Sequence, residues 1–261
     1  MDLNQKTQEV VALSREVGKF IAKEASAFDR SSIELKGLND LVSYVDKEAE
    51  KLLVKGLRDI LPQAGFVVEE ATATHQDEEY IWIVDPLDGT TNFIHGLPVF
   101  AISIALMRHK ALVMGVVYEI NRDECFYAHH EGKAYMNGQI IQVSPVKSLG
   151  ECLLATGFPY YNFSKMQNYL DTLNTFMQQT HGLRRMGSAA IDLVYVACGR
   201  FEGFFEYNLR PWDVAGGAFI VLQAGGTITD FKGGNNYIFG KELIAGNVAQ
   251  PQMLEVIKKH W

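Results

Sequence analysis

The pattern of apolar and polar positions in the first part of the chain predicts two amphipathic helices. Residues 3–24 place apolar side chains at helical spacing, with charged side chains on the opposite face. Residues 31–37 are expected to form a link. Asn39 or Asp40 is then expected to cap a second helix that continues to about residue 60. We therefore expect a helical layer ahead of the first strand.

A series of strand patterns follows. Phe66–Val68 predicts a short strand that ends at Glu69-Glu70, and residues 71–79 are polar enough to form a loop. Ile81–Val84 reads as a buried strand. Asn137-Gly138 predicts a hairpin turn. Alternating patterns predict further strands of an antiparallel sheet at Ala101–Arg108, Ala111–Glu119, Cys125–His129 and Ile140–Val143.

The composition shifts at Ser144-Pro145, and strands and helices alternate from there on. The predicted strands are Glu151–Thr156, Phe201–Glu206, Thr227–Asp230 and Leu243–Gly246. The predicted helices are Met166–Gln179, Ala189–Cys198 and Val214–Ala224. This order predicts an α+β half over residues 1–145, with an antiparallel sheet and most of the candidate ligands, and an α/β half over residues 146–261 with a mixed sheet.

Composition and charge narrow the class of protein. The chain has 261 residues, 48% of them hydrophobic, which is enough for a large core. No apolar run is long enough to span a membrane, and the first residues lack the features of a signal peptide. The three cysteines form no CxxC pair, which favours a reducing compartment and buried, structural thiols. The net charge of −7 and the absence of a basic run disfavour nucleic acid as a partner. We expect a cytoplasmic protein.

The segment 81–92 holds the strongest candidate chemistry. Asp85 and Asp88 follow an apolar run, Pro86 restricts the turn, and Gly89 allows the backbone close to a ligand. Oxygen ligands without histidine or cysteine favour magnesium, manganese or calcium over zinc. A simple surface turn is the alternative, because Asp-Pro and Asp-Gly are common turn dipeptides.

Acidic side chains occur at three separate element ends: Glu69-Glu70, the pair Asp85 and Asp88, and Asp213 at the start of a helix. Asp213 alone could be an ordinary N-cap. Several carboxylates that converge repel one another unless cations or protons neutralise them. Two metal ions would clamp a phosphoryl group and activate water.

Several other chemistries are disfavoured. The chain has no Gly-x-Ser-x-Gly elbow, no Walker loop and no Gly-x-Gly-x-x-Gly fingerprint, which argues against serine hydrolases, nucleotide-driven transfer and dinucleotide oxidoreduction. His95 and His129-His130 lack partners at metal spacing and are expected to be surface or structural residues. Arg184-Arg185 and Arg210 could pair with acidic surface groups, or could face the site or a dimer partner.

Together these residues resemble the inositol monophosphatase family over almost the whole chain. The motifs that carry the resemblance are Glu69-Glu70, Asp85-Pro86-Leu87-Asp88-Gly89-Thr90-Thr91-Asn92, Gly187-Ser188-Ala189-Ala190, Trp212-Asp213-Val214-Ala215-Gly216-Gly217 and Ala224-Gly225-Gly226. The resemblance implies a layered αβαβα sandwich of the inositol monophosphatase and fructose-1,6-bisphosphatase type.

The resemblance also implies a site for two or three magnesium ions. Its ligands would be Glu69, Asp85, the Leu87 carbonyl, Asp88 and Asp213. Glu70 would support the edge of this site. Asp46 and Thr90 would orient the attacking water, and Lys36 would lie near the metals. Substrate contacts would come from Gly89, Thr90, Gly187, Ser188, Ala189, Glu206 and Asp213.

The implied activity is direct hydrolysis of a phosphomonoester, with inositol 1-phosphate as the preferred substrate and inhibition by lithium. Fructose 1,6-bisphosphate, histidinol phosphate, 3′-phosphoadenosine 5′-phosphate and NADP are alternative substrates within the wider superfamily. Arg210 or a similar basic residue could accept a second phosphate. The partner would be a small phosphorylated polyol, in a homodimeric enzyme without membrane contact. A protein that binds the transcription machinery, with residual activity, is an alternative of another class.

Overall fold

The computed structural model describes residues 1–27, 44–71, 73–74, 78–159 and 162–261, and the backbone alone of 34–37 and 40–42. The helices are α1 Leu3–Ala27, α2 Tyr44–Ile60, α3 Thr90–His95, α4 Met166–Gln179, α5 Ala189–Ala197, α6 Pro211–Gln223 and α7 Gln250–His260. The strands are β1 Glu34–Gly37, β2 Asp40–Val42, β3 Gly65–Val68, β4 Tyr80–Asp88, β5 Ala101–Arg108, β6 Ala111–Glu119, β7 Glu124–His129, β8 Ala134–Met136, β9 Gln139–Ile140, β10 Leu153–Thr156, β11 Gly182–Arg184, β12 Gly203–Tyr207, β13 Thr227–Thr229 and β14 Glu242–Gly246.

These elements stack into five layers. Helices α1 and α2 pack on the outer face of a sheet with the strand order β3-β4-β5-β6-β7-β8-β9. Helices α5 and α6 fill the space between this sheet and a second one, with the order β11-β10-β12-β14-β13. Helices α4 and α7 cover the far face of the second sheet. The expected αβαβα sandwich is confirmed.

Alternation along β4 explains why its sequence is apolar almost throughout. Trp82 and Val84 join the core under α1 and α2, whereas Ile83 joins the core between the sheets. Successive side chains of a strand point to opposite faces, so a sheet covered on both sides needs apolar residues at every position. The strand is apolar almost throughout because helices cover both faces of this sheet.

The first sheet is antiparallel except at one pair of strands. β3 runs parallel to β4, with Gly65 beside Ile81, and the remaining neighbours are antiparallel. The parallel pair corrects the expectation of a wholly antiparallel sheet. It also brings the carboxyl ends of β3 and β4 to the same edge of the sheet. At this edge Glu69-Glu70 follow β3, and Asp88 is the last residue of β4. The second sheet is mixed, as expected, because β10 is parallel to β11 and β12 while β14 is antiparallel to both neighbours.

Most predicted elements are present with small shifts of their ends. β5 and β6 match the predicted ranges, and α4 does as well. Asn137 and Gly138 both have positive φ, 48° and 82°, which confirms the hairpin turn between β8 and β9. The strand predicted at residues 140–143 is reduced to the end of β9, and a three-residue turn at Leu149–Glu151 replaces the start of the strand predicted from Glu151.

Other element predictions were wrong. The link predicted over residues 31–37 contains β1, and Asp40 lies in β2 instead of capping α2, which begins at Tyr44. Asn39 lies outside the described residues. Further elements that were not predicted include β8, β11 and the final helix α7. β8 and β11 have only three residues each, too few for a periodic pattern to show.

The division of the chain near residue 145 stays a prediction. β3–β9 lie before this position and β10–β14 after it. However, α5 and α6 of the second half supply much of the core against the inner face of the first sheet. In the part of the chain that the structure describes, no helix is long and apolar enough to cross a bilayer.

Candidate functional site

The end of β4 carries the two central aspartates. Asp85 still pairs with β5, opposite Ser103, and an irregularity in the register separates it from Asp88. The irregularity includes Pro86, which has no N–H to offer a ladder. The Asp85 carboxylate turns back and accepts from the Leu87 N–H at 2.9 Å. The distorted strand end thus presents both aspartates and the Leu87 carbonyl at one place.

Gly89 joins this strand directly to α3. It has φ of 98°, and a Cβ there would lie 2.9 Å from the Val99 carbonyl oxygen and 3.3 Å from that of Gly187. Only glycine fits so close an approach at a positive φ. Because Gly89 alone separates the last residue of β4, Asp88, from the first residue of α3, Thr90, the helix begins beside the aspartates. α3 has only six residues, and it ends where the Gly96 N–H donates to the carbonyls of Asn92 and Phe93.

Four carboxylates from three chain segments interact at this point. Burial raises the pKa of Asp85 well above its usual range, and the charges of Glu69, Asp88 and Asp213 raise it further. Asp85 is 2% exposed. Burial also raises the pKa of Asp88 to about 6 and that of Asp213 to about 7. The structure thus brings together the four acidic residues that the resemblance implied as ligands, and the charges of Glu69, Asp88 and Asp213 act on Asp85.

Asp46 and Thr90 form the predicted pair. Asp46, in the first turn of α2, is 1% exposed, and the Thr90 hydroxyl lies 2.9 Å from its Oδ1. The same hydroxyl lies 2.9 Å from the Leu87 carbonyl oxygen. Because a hydroxyl carries one proton, Thr90 donates to one of these two acceptors at a time. Its lone pairs stay available to accept from another donor.

A second carboxylate of α2, Glu50, supports the glutamate pair and was not identified from the sequence. Glu50 is fully buried, and its Oε2 accepts from the Glu70 N–H at 2.6 Å. It lies one helical turn after Asp46, so both project from the same face of α2. Their place between buried apolar residues of this helix was the signal in the sequence, since acidic residues rarely occupy the buried face without a partner.

The start of α5 holds Asp88 in place. Asp88 Oδ2 accepts from the Ser188 hydroxyl at 2.6 Å and from the Ala190 N–H at 2.7 Å. Ser188 is also the N-cap of α5, because its side chain accepts from the Ile191 N–H. The helix amino terminus stabilises the negative charge of Asp88. Gly187-Ser188-Ala189, expected to contact a substrate, is therefore anchored to the aspartates.

Asn92 connects this segment to α3. Its side-chain amide donates to the Val99 carbonyl at 2.7 Å and to the Met186 carbonyl at 2.9 Å. A Cβ at Gly187 would lie 2.8 Å from the same amide nitrogen, at a φ of 91°. The glycine and the buried amide together fix the distance between α3 and the start of α5.

Asp213 lies in the first turn of α6 but is not the N-cap. Arg210 occupies the N-cap position, and its N–H donates to Asp213 Oδ2 at 2.7 Å. The Asp213 carboxylate thus accepts from a backbone N–H at the start of α6 and also interacts with the other carboxylates. The Arg210 side chain is exposed, and its charge lowers the pKa of Asp213 against the effect of burial.

Glu206 is buried at the end of β12, close to the turn after β10. A Cβ at Gly157 would lie 2.0 Å from its carboxyl carbon, so no larger residue fits there without a shift. Burial, Asp213 and Asp88 raise the pKa of Glu206 well above its usual range, whereas the charge of Arg185 lowers it. Glu206 therefore belongs to the same electrostatic group as the aspartates.

The two neighbouring arginines differ. Arg184 is exposed and donates to the carbonyl of Leu183, whereas Arg185 lies among the carboxylates and lowers the pKa of Asp88 and Glu206. The structure therefore favours Arg185 over the predicted Arg184 as the basic residue of this site. The side chain of Lys36 lies outside the described residues.

One further acidic residue was missed. Asp192 of α5 is 1% exposed, and Glu206 and Asp88 raise its pKa beyond the effect of burial. It stands in an apolar helix whose nine residues are all buried, Ala189–Ala197. A single aspartate in an otherwise apolar helix was the sequence feature that could have indicated a functional role for Asp192.

The donor chemistry fits a hard cation, although the described residues do not form a closed ligand shell. Oxygen atoms are the ligands that magnesium prefers, and the carboxylates of Glu69, Asp85, Asp88 and Asp213 interact at this point. Within the described residues, no three His, Cys, Asp or Glu side chains are arranged as a ready metal centre. Glu69, Asp85, Asp88 and Asp213 would therefore adjust their side chains around an ion.

The remaining candidates lie elsewhere. His95 and His130 are exposed, and His129 is half-buried with its Nδ1 at 3.0 Å from the His130 carbonyl. Cys125 and Cys152 are buried, and burial raises their thiol pKa values to about 12 and about 11. Cys198 is only half-buried, which corrects the expectation of three buried thiols.

The profile of the inositol monophosphatase family matches residues 2–261. This chain is a member of the inositol monophosphatase family. Among curated proteins of the family, the inositol-1-monophosphatase of Mesorhizobium japonicum is 38% identical over 252 residues, covering 96% of this chain and 95% of the relative. A protein of Neisseria meningitidis named putative Nus factor SuhB is 41% identical over 249 residues, covering 95% of each.

The fold agrees with solved structures of the family. The crystal structure of extragenic suppressor protein suhB from Bartonella henselae superposes with a TM-score of 0.92 at 38% sequence identity, covering 97% of this chain and 98% of that one. The layered arrangement that positions the carboxylates is thus the family fold.

Proposed function

We propose that this chain is a magnesium-dependent phosphomonoester hydrolase that releases myo-inositol and phosphate from inositol 1-phosphate. The observation that carries the proposal is the Thr90–Asp46 pair, 2.9 Å apart, beside four carboxylates that share one site. Family membership and the relative named inositol-1-monophosphatase support it.

The proposed metal ligands are four carboxylates and one backbone carbonyl. Glu69, Asp85, Asp88, Asp213 and the Leu87 carbonyl would hold two or three magnesium ions. When bound, these ions would neutralise the carboxylates, lower the pKa of a bound water and stabilise charge on the phosphate. Glu70, whose N–H is held by Glu50, would fix the turn that carries Glu69.

The protein groups would then position the reactants. Thr90 donates to Asp46 and accepts from the attacking water, which orients the water and helps to remove its proton. The Gly89 and Thr90 N–H groups at the start of α3 would donate to the phosphate oxygens. The leaving alcohol would lie towards Glu206 and Gly187-Ser188-Ala189, where Glu206 accepts from a hydroxyl. No covalent phosphoenzyme is required.

The first experiment is phosphate release with and without magnesium, from inositol 1-phosphate, fructose 1,6-bisphosphate, histidinol phosphate, 3′-phosphoadenosine 5′-phosphate and NADP. We expect magnesium-dependent release with a preference for inositol 1-phosphate. Preference for another substrate would be consistent with the same mechanism but would replace inositol 1-phosphate as the proposed substrate. Release from none of them would refute the enzymatic proposal. Lithium inhibition and a homodimeric state belong to the same proposal, and are checked by lithium titration and light scattering.

Asp88→Asn tests the role of the carboxylates. The amide oxygen can still accept from Ser188 and Ala190, so we expect a normal fold, whereas the lost charge weakens the metal site. Activity should fall by at least about a hundredfold. Asp59→Asn, an exposed aspartate of α2, is the matched control and should keep full activity. Wild-type turnover of Asp88→Asn at saturating magnesium would contradict the ligand assignment.

A second candidate function rests on two relatives that are each 41% identical to this chain: Nus factor SuhB of Escherichia coli and putative Nus factor SuhB of Neisseria meningitidis. In that case the chain would act mainly by binding the transcription machinery. Asp88→Asn separates the two functions in a strain that depends on this chain. A phenotype that survives the substitution favours the binding role, and a lost phenotype favours the enzyme.

A further inference from the structure

Asp192 is a buried acid that the proposed mechanism does not use. It is 1% exposed, and its Oδ1 has no hydrogen-bond partner among the described residues. Buried polar atoms are nearly always paired, so an unpaired carboxyl oxygen at such a position requires an explanation. Glu119 provides the contrast: it is equally buried, but its Oε2 accepts from the Tyr195 hydroxyl at 2.9 Å.

The position of Asp192 on α5 directs it towards the substrate end of the site. Its N–H donates to the Ser188 carbonyl at 3.0 Å, one helical turn earlier. Residues four apart lie on the same helix face, so Asp192 shares a face with Ser188, whose hydroxyl binds Asp88. The charged groups that act on Asp192 are those of the site: Glu206, Asp88 and Arg185.

Glu206 is the group that Asp192 is best placed to influence. Gly157 confines the Glu206 carboxyl on one side, where a Cβ would be 2.0 Å away. Arg185 lies by both acids, and its guanidinium stands 5.4 Å from the centre of the Phe158 ring, in the turn that follows Gly157. Glu206 thus lies against the Gly157 turn, and its charge acts on Asp192 of α5.

We propose that Asp192 is a positioning residue that orients Glu206 for a ring hydroxyl of a polyol phosphate, and so sets the preference for hydroxyl-rich substrates. The inference rests on the proposed phosphatase function and deepens it. Two acids of this kind can associate through a shared proton or a bridging water, which fixes the orientation of both carboxyls. The Asp192 side chain would act on substrate discrimination and leave the hydrolytic chemistry unchanged.

The test compares inositol 1-phosphate with phenyl phosphate, which has no hydroxyl for Glu206 to bind. Asp192→Leu should raise KM for inositol 1-phosphate roughly tenfold with little change in kcat, because a hydroxyl contact is lost. Its kcat/KM for phenyl phosphate should stay at the wild-type level. Asp192→Asn keeps the shape and a donor towards Glu206, so it should restore wild-type discrimination. Glu119→Gln is the control for removal of a buried acid outside the site.

Each result is decisive. Equal losses on both substrates in Asp192→Leu would show a general structural role and overturn the inference. Unchanged discrimination in Asp192→Leu would do the same, and so would an asparagine variant that loses discrimination as fully as leucine. The near-ultraviolet circular dichroism of Asp192→Leu verifies that it folds. If it does not fold, Asp192→Ala, which also removes the carboxyl group, takes its place with the same expected and contradicting results. A wild-type protein that hydrolyses neither substrate would instead refute the phosphatase function itself.

Discussion

Thr90 combines three roles within a few ångströms. Its hydroxyl reaches both Asp46 and the Leu87 carbonyl, and its N–H opens the short helix α3. A threonine suits this position because the hydroxyl is fixed by a β-branched side chain with few rotamers. The geometry of the proposed water site is therefore determined by one residue, whose place is set by the tight turn at Gly89.

Thr90→Val should test this arrangement with little structural change. Valine has nearly the same shape, but it removes the hydroxyl that would accept from water and relay its proton to Asp46. We expect kcat to fall on the order of a hundredfold or more, with magnesium affinity nearly unchanged. Steady-state kinetics and calorimetric titration of magnesium measure the two effects. Thr91→Val, one position later, should stay close to the wild type. A Thr90→Val enzyme with normal kcat would remove Thr90 from the mechanism.

At the scale of elements, glycine contacts determine how closely α6 packs on the first sheet. A Cβ at Gly115 of β6 would lie 2.4 Å from the Gly216 carbonyl oxygen of α6, and one at Gly216 would lie 3.1 Å from the Ile104 carbonyl oxygen. Glycine on both surfaces lets the helix backbone approach the sheet closely. This approach sets the depth of α6, and therefore the position of Asp213 at its start.

Gly115→Ala should push α6 away from the sheet. The new methyl group meets backbone, which cannot move aside, so we expect a loss of about 1–3 kcal/mol in the free energy of unfolding. Denaturant unfolding measures this loss. Gly56→Ala in α2 is the control, because its methyl group meets only the end of the Leu13 side chain and alanine favours a helix. A Gly115→Ala protein as stable as Gly56→Ala would contradict the close packing.

Element prediction from the sequence succeeded where the periodic pattern was long. The strands β5 and β6 and the helix α4 follow clear alternation or helical spacing. The short strands β8 and β11 offered too few positions, and the Asp40 cap was wrong because β1 and β2 pair with each other instead. Pairing between distant segments is a tertiary effect that local propensity does not encode.

The site was predicted unevenly, for a similar reason. Asp85, Asp88 and Asp213 occur in local motifs, so the residue pattern singled them out and the family resemblance implied their roles. Glu50 and Asp192 occur in ordinary helical segments, and only the packing of α2 and α5 brings them to the site. Sequence patterns identify residues that share a motif, whereas supporting residues emerge from tertiary contacts.

At the scale of the whole molecule, the grouped carboxylates make stability depend on pH. Burial raises the pKa of Asp213 from 3.8 to about 7, so the folded protein binds more protons than the unfolded chain between these values. Folding stability from this group therefore falls as pH rises through that window. Bound magnesium should offset the loss by neutralising the charge.

Asp213→Asn isolates this contribution. In metal-free buffer, the free energy of unfolding of the wild type minus that of Asp213→Asn should decrease from about pH 4 to about pH 7, because only the wild type gains a buried charge. Urea unfolding at several pH values gives the difference. Magnesium at pH 8 should stabilise the wild type more than the variant. A difference that does not vary with pH would show that Asp213 is not held at a raised pKa.

The layered order of the fold also has a consequence for synthesis of the chain. When the ribosome has made residues 1–145, the first sheet and most of the carboxylates exist, but α5 and α6 have not yet been translated. The inner face of that sheet then lacks its cover, and Asp213 is absent. The proposed activity therefore requires that more than four-fifths of the 261 residues have been translated, and a chain terminated before Asp213 would lack one of the proposed ligands.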